Sequence, residues 1–461
     1  MFELILCAHV LLWLILLGFF LASGQASIYH PLTVYLGFHG LVFVLRPILV
    51  HCLHFDNIWH YMHLEPSEDQ LILTLEASSV ALVAFASTCL VFGRTQPGFR
   101  TPAPAPFSVT QNRALILTTL LLGPLVAYSI RSLVSGALTG THVGGTYVLT
   151  GASGYTVEAQ FMAGPLLFAW LVVTRFNWMA AAPALGYVAY RSYAGWSRWT
   201  IVLLFLGLAL VYAWQKRARW LPLWSVAVAI PLFFLFLTLG RNRDYFKQAI
   251  SGTTAAQENT TTTFSESEKL RSKYDTQDFA NFDFLCFVLS AVPAKTGTYT
   301  YGAQYLQLFT EPIPRKLWKD KPVGAPVQLF NLNAYGNFLG LTPSIVGDGW
   351  MSGGWLGVIV TMSIVGTLLG LAHRWFWRHA EKNMASLFYL VGLAMLPQWF
   401  RDGGISIAKF LFWNLLPLCV WLGLTWLLGQ RLVPARSVLL PSGSRVRLVQ
   451  PQMRRKISAT L

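Results

Sequence analysis

Residues 1–22 read MFELILCAHVLLWLILLGFFLA, and no Lys or Arg lies within or ahead of the run. At about 1.5 Å of rise per residue, a helix of that length crosses the roughly 30 Å hydrocarbon layer of a bilayer. The basic n-region of a secretory signal is missing, so the run reads as a retained first span. Moving outward, comparable apolar runs recur near 31–53, 71–92, 114–134, 156–174, 176–190, 199–214 and 220–239. After a polar interval they resume near 353–372, 384–400 and 405–428. The pattern predicts an all-α polytopic membrane protein with about eleven transmembrane helices, in a range of about ten to twelve. The run at 176–190 is the shortest and needs tilt or a thinned bilayer to cross.

Four regions follow: an N-terminal membrane block over 1–239, a large loop with interfacial helices over 240–343, a C-terminal membrane block over 344–428, and a basic tail over 429–461. Composition agrees, since 54% of the 461 residues are hydrophobic and only 11% are charged, against about 25% charged in soluble domains. The 18 Trp and 17 Tyr suit interfacial belts, where a ring keeps one polar end in water. Cys7, Cys52, Cys89, Cys286 and Cys419 show no CxxC spacing and read as small hydrophobes, not as a disulfide framework. The net charge of +15 is spread over membrane-flanking loops and the tail, which points to lipid and orientation instead of nucleic acid.

The short loops set the orientation. With the N-terminus outside, the cytoplasmic loops collect Arg94, Arg100, Arg113, Arg175, Lys216, Arg217, Arg219, Arg374, Arg378, Lys382 and the tail, whereas the short outer loops hold Arg191, Arg198 and Arg401. The large loop then faces away from the cytoplasm; its own bases are no objection, because long loops escape the charge rule.

That loop carries most of the candidate chemistry. Arg241, Arg243 and Lys247 follow the eighth span directly, and two guanidinium forks can share one diphosphate, although simple interfacial anchoring explains them too. Ser251–Glu268 is polar and low in large apolar residues, as in a mobile loop. Asn281–Val292 (NFDFLCFVLSAV) is apolar enough to lie in the interface as a helix or to re-enter partway. Tyr299, Tyr301 and Tyr305 follow, suited to packing or to stacking on sugar rings. In Glu311–Pro322, the prolines at 312, 314 and 322 enforce a stiff extended loop. It presents Arg315, Lys316, Lys319 and Lys321 around Trp318, a set fit for an anionic, partly apolar ligand such as a lipid-linked phosphate, or for lipid headgroups.

Asp348, between Gly347 and Gly349, stands just before the ninth span and its Gly353-Gly354-Trp355 start. A carboxylate there reads either as a general base for a sugar hydroxyl or as a helix cap or arginine partner. Arg401-Asp402-Gly403-Gly404 falls on the same face, its arginine able to bind phosphate or to pair with Asp402. Arg46, inside the second span, reads as an arginine paired for structure or as a functional intramembrane cation. His51, His54, His60 and His63 form two HxxH pairs, whose i, i+3 spacing can set two imidazoles on one helix face as metal ligands. Between them, Asp56-Asn57 favours a turn. No P-loop, HExxH or strand-linked GxGxxG occurs, so no nucleotide or metal cofactor is expected.

The run Ile313-Pro314-Arg315-Lys316-Leu317-Trp318-Lys319-Asp320-Lys321-Pro322 resembles the I-P-R-x-L-W-x-x-K-P loop of Wzy-type oligosaccharide repeat-unit polymerases of the O-antigen and exopolysaccharide pathway. Gly347-Asp348 ahead of Gly353-Gly354-Trp355 and Gly357 is similar to the family's Gly-Glu and glycine-rich span start, with Asp in place of Glu. Arg401-Asp402-Gly403 matches an Arg-Gly or Arg-Asp-Gly near the last span. The resemblance implies an inverting, metal-independent glycosyltransferase with a GT-C-like fold, multi-pass in the bacterial inner membrane and working at its periplasmic face.

Its implied substrate is an undecaprenyl-diphosphate-linked oligosaccharide. Its implied partners are membrane lipids and, from the same pathway, a chain-length regulator and a flippase. On that reading Arg241, Arg243, Arg315, Lys319, Lys321 and Arg401 hold diphosphates, Asp348 acts as base or orients the acceptor, and Trp318 and Tyr301 contact the glycan. Two other functions fit the same composition: an O-antigen ligase using the same donor, and a transporter of lipid-linked sugars, for which broken helices in paired halves are expected.

Overall fold

The computed structural model describes residues 1–95, 106–134, 140–143, 146–149, 158–194, 199–222, 280–306, 332–337 and 342–431, plus the single positions Trp224, Ser225, Ala227, Asp275, Phe309, Trp318 and Phe330. Residues 96–105, most of the eighth apolar run, the polar run 251–268 and the tail beyond Arg431 lie outside the described residues.

The chain is a helical membrane protein. Among the described residues six helices are long and apolar enough to span: Phe2–Ala22, Pro31–Leu53, Glu68–Gly93, Val109–Ser132, Ser344–Arg378 and Phe410–Gln430. Three shorter apolar stretches lie at Ala159–Val173, Leu203–Gln215 and Asn281–Ala291. The N-terminal block begins with α1 (Phe2–Ala22). The second span is composite: α2 (Pro31–His39), a π-helical stretch over Gly40–Leu45, and α3 (Arg46–Leu53). Then come α4 (Asn57–Met62), α5 (Glu68–Gly93), α6 (Val109–Val134), α7 (Ala163–Val173), α8 (Trp178–Ala194) and α9 (Trp199–Gln215). A capping box starts α5, with Ser67 Oγ accepting from Gln70 N–H and the Gln70 side chain accepting from Ser67 N–H.

The glycine- and threonine-rich loop after α6 departs from an all-helical fold. It forms an antiparallel hairpin, β1 (Gly140–Val143) with β2 (Thr146–Leu149), in register Thr141 to Val148. With no charged side chain to solvate and several β-branched residues, the segment pairs with itself.

The dominant packing joins α5 to α11 (Ser344–Arg378). A Cβ on Gly366 would overlap Thr88 Oγ1 and the Phe85 carbonyl, and one on Gly370 would meet Gly93 N and Cys89 O. Lipid tails are as apolar as leucine, so helices in a membrane associate by such close backbone approach. α10 (Asn281–Ala291) wedges against both α5 and α11. Its residues from Asn281 to Leu289 are all buried, so it does not lie along the interface; a helix apolar around its whole circumference is an interior element. The tenth apolar run is also divided, into α12 (Asn383–Ala394) and α13 (Leu396–Asp402), before α14 (Gly404–Arg431) ends the described chain.

Loops sort to two ends. At one end Met1 pairs with Glu68 at 2.8 Å, Asn57 N–H donates to Asp275 at 2.9 Å, and Asn337 N–H donates to the Met62 carbonyl. At the other, Ile28 N–H donates to the Arg219 carbonyl, Arg219 donates to the Ala26 and Gly24 carbonyls, and Tyr389 donates to the Tyr29 carbonyl. Alternate connections therefore meet at alternate ends, as a chain that crosses back and forth requires.

Candidate functional site

Asp348 lies on the first limb of α11. The helix breaks at Gly353 and Gly354, whose φ/ψ of 175°/36° and 58°/−134° are non-helical, the second being a left-handed backbone that favours glycine. The limbs fold against each other, so that Gly357 touches the Gly349 backbone and Trp350 meets Trp355 edge to face at 5.3 Å. A limb this short exposes its last carbonyls, and neighbouring residues satisfy them. Thr300 donates N–H and Oγ1 to the Met351 carbonyl at 2.8 and 3.0 Å. Ser352 Oγ and Gln304 Nε2 donate to the Asp348 carbonyl at 2.7 and 3.4 Å. Trp350 Nε1 ties the limb to the Val292 carbonyl at 2.8 Å.

The Asp348 side chain is buried and reaches the elbow between α13 and α14. Its Oδ2 accepts from Gly404 N–H at 2.6 Å, at the first residue of α14, where unpaired N–H groups and the helix dipole favour an anion. Gly403, at φ 89°, lies so close that a Cβ there would overlap the carboxylate. The cap foreseen for the ninth span thus falls on the last helix. Asp348 Oδ1 has no hydrogen-bond partner.

Arg401 and Asp402 complete the elbow. Arg401 Nη1 pairs with Asp402 Oδ1 at 2.9 Å, and Gln398 Nε2 donates to Asp402 Oδ2 at 3.1 Å. Asn281, at the start of α10, donates to the Arg401 carbonyl at 3.1 Å and to Thr342. The Tyr305 ring packs beside Gly404. Burial, aided by the nearby Asp348 charge, pushes its phenol above the usual tyrosine range.

The structure therefore unites two expected segments, around Asp348 and Arg401. Sequence reading missed Asn281, Gln304 and Ser352; a polar residue opening an otherwise apolar helix marks Asn281, and no local signal marks Gln304. Arg241, Arg243, Arg315, Lys319 and Lys321 lie outside the described residues. The Trp318 ring is exposed, and Tyr301 is exposed with its ring 6.2 Å from Tyr299.

A second buried polar centre surrounds Arg46, which is paired as a structural arginine. Nε and Nη2 donate to the two oxygens of Asp283 at 2.7 and 3.2 Å, and Nη1 meets Asp275 Oδ1 at 2.7 Å. The Phe55 ring covers the guanidinium at 5.7 Å. The two HxxH pairs do not converge. His51 pairs with Glu3 at 3.1 Å, His60 lies 3.7 Å from Asp56, and His54 and His63 end their helices in left-handed conformations. Among the described residues no three His, Cys, Asp or Glu side chains group as metal ligands.

No family model, curated protein or solved structure matches this chain.

Proposed function

We propose that the chain polymerises undecaprenyl-diphosphate-linked oligosaccharide repeat units by inverting glycosyl transfer at the outer face of the bacterial inner membrane. About eleven spans, a GT-C-like arrangement and an outward-facing elbow belong to this reading; the cations Arg94, Lys216, Arg217 and Arg219, with Arg374 and Arg378 at the end of α11, fall on the side that the orientation assigns to the cytoplasm. The observation that supports it best is the meeting of Asp348 with the Arg401–Gly404 elbow: a buried carboxylate with one oxygen held by Gly404 N–H and the other without a hydrogen-bond partner, against the elbow that carries the Arg401–Asp402 pair.

The acceptor hydroxyl attacks the anomeric carbon of the lipid-linked chain while its proton passes to Asp348 Oδ1. The bond from that carbon to the diphosphate breaks, and the electron pair leaves on the phosphate oxygen. Arg401, Arg241, Arg243, Arg315, Lys319 and Lys321 neutralise the charge that gathers there, while Trp318 and Tyr301 offer faces to sugar rings. No metal or organic cofactor enters these steps.

Deleting the gene is expected to leave single repeat units, or unpolymerised lipid-linked units, in place of long surface glycan on a gel. An unchanged glycan profile would remove the function. Complementation with Arg315→Ala or Arg241→Ala is expected to shorten the chains, and full-length chains from both would strip those two of their role. A reporter fused after Gly252 is expected to be active only outside the cytoplasm.

One observation favours a second reading, transport of the same lipid-linked glycan: α11 is interrupted at Gly353 and Gly354, where its apolar run begins, and transporter helices are often broken. A transporter's deletion would strand the lipid-linked units on the cytoplasmic leaflet, whereas a polymerase's would leave them outside.

A further inference from the structure

Four buried side-chain oxygens around the elbow find no donor: Asp348 Oδ1, Gln304 Oε1, Asn281 Oδ1 and Gln398 Oε1. Their residues are between 0% and 2% exposed. The amide orientations are set by their other ends. Asn281 Nδ2 faces the Arg401 and Thr342 carbonyls and Thr342 Oγ1, Gln304 Nε2 faces the Asp348 carbonyl and Ser352 Oγ, and Gln398 Nε2 faces Asp402. Turning any of them over would set oxygen against oxygen. Buried acceptors are costly to leave unmade, so a cluster of them marks groups kept for a ligand that brings its own donors.

The surroundings narrow that ligand. Acceptor oxygens, one of them a carboxylate's, disfavour a diphosphate in direct contact with them, and the Arg401 cation of the same elbow is engaged with Asp402. Sugar hydroxyls bring one donor each at close spacing and carry no charge. Gln304 is tied to the Asp348 carbonyl, Asn281 to the Arg401 carbonyl, and the Tyr305 ring lies beside Gly404, so three of the four oxygens, those of Asp348, Gln304 and Asn281, and an aromatic surface belong to one junction.

We propose that this junction seats the acceptor sugar, with Asp348 Oδ1, Gln304 Oε1 and Asn281 Oδ1 each accepting a hydrogen bond from a hydroxyl of the incoming non-reducing end. The inference rests on the polymerase reading and adds a division of labour. Acceptor hydroxyls bind on the uncharged amides and Asp348, and the diphosphates bind on Arg401 and the basic loops.

The test uses the purified full-length protein in detergent, with lipid-linked repeat units extracted from the deletion strain as the probe. Gln304→Met keeps the length of the side chain and removes the free oxygen. Its KM is expected to rise about tenfold, with kcat within about twofold, as for one lost substrate hydrogen bond; an unchanged KM overturns the proposal. A second arm needs no turnover. In sodium-free buffer, methyl glycosides of the repeat-unit sugars are expected to raise the unfolding midpoint of the native protein but not that of Asp348→Asn. A rise with sodium chloride alone would make the junction a cation site and overturn the proposal. If the native protein forms no polymer, the polymerase reading falls, and the glycoside arm still decides whether the junction binds sugar.

Discussion

Among the described residues charge is buried at Arg46 and at Asp348, and it is treated differently in each place. At Arg46 the guanidinium meets Asp283 with two bonds and Asp275 with a third contact, under a phenylalanine ring. At Asp348 one oxygen is held by a helix N-terminus and the other is left without a partner. A charge surrounded by opposite charge is locked, and removing a partner strands the rest. One left half-satisfied retains a lone pair for chemistry, which is how functional sites depart from the rule that buried polar groups are paired. The first centre ties the loop residue Asp275 and helix α10 to the second span; the second centre faces the α13–α14 elbow.

Arg46→Met leaves two buried carboxylates facing each other and is expected to cost about 3–5 kcal/mol, read as a lower unfolding midpoint or loss of folded protein in detergent. Adding Asp283→Asn and Asp275→Asn to that variant is expected to recover part of the loss; no recovery would mean that the arginine acts through packing instead of charge. Asp348→Asn reverses the pattern, with folding changed by no more than about 1 kcal/mol and polymerisation reduced by about 10²–10⁴-fold, the usual worth of a general base. Gly366→Leu drives a side chain into Thr88 and the Phe85 carbonyl, and is expected to cost about 1–3 kcal/mol by overpacking. Ser67→Ala removes one side of the α5 capping box and is expected to cost about 1 kcal/mol with activity kept.

Much of the fold is legible in sequence because lipid imposes its own rule: a spanning helix must be long and apolar, so α1, α5 and α6 stand out as runs. The Gly353-Gly354 pair marks a break, and Gly366-Thr-Leu-Leu-Gly370 is the small-residue spacing that lets α11 lie against α5, although hydropathy alone passes over it. The π-helical stretch ahead of Arg46 left no such mark. The Arg46 partners were out of reach for a different reason, since Asp283 lies 237 residues away and nothing local distinguishes a paired arginine from a free one. The composition of Asn281–Val292 fits an interfacial helix and one that re-enters partway equally well, and its burial against α5 and α11 sets the interfacial alternative aside. At the site, Asp348 and Arg401 were readable as charges beside glycines near span ends, whereas Gln304 and the amide of Gly404 acquire meaning only once the chain is folded.

On the proposed reading the free oxygen of Asp348 serves glycan chemistry while the Arg46 centre serves the fold. The most direct measurement expresses Asp348→Asn in the deletion strain at a level matched to the native protein and runs surface glycan beside the detergent unfolding curve. The account predicts single repeat units in place of long chains together with a nearly native unfolding midpoint. Long chains at native abundance from that variant would contradict it.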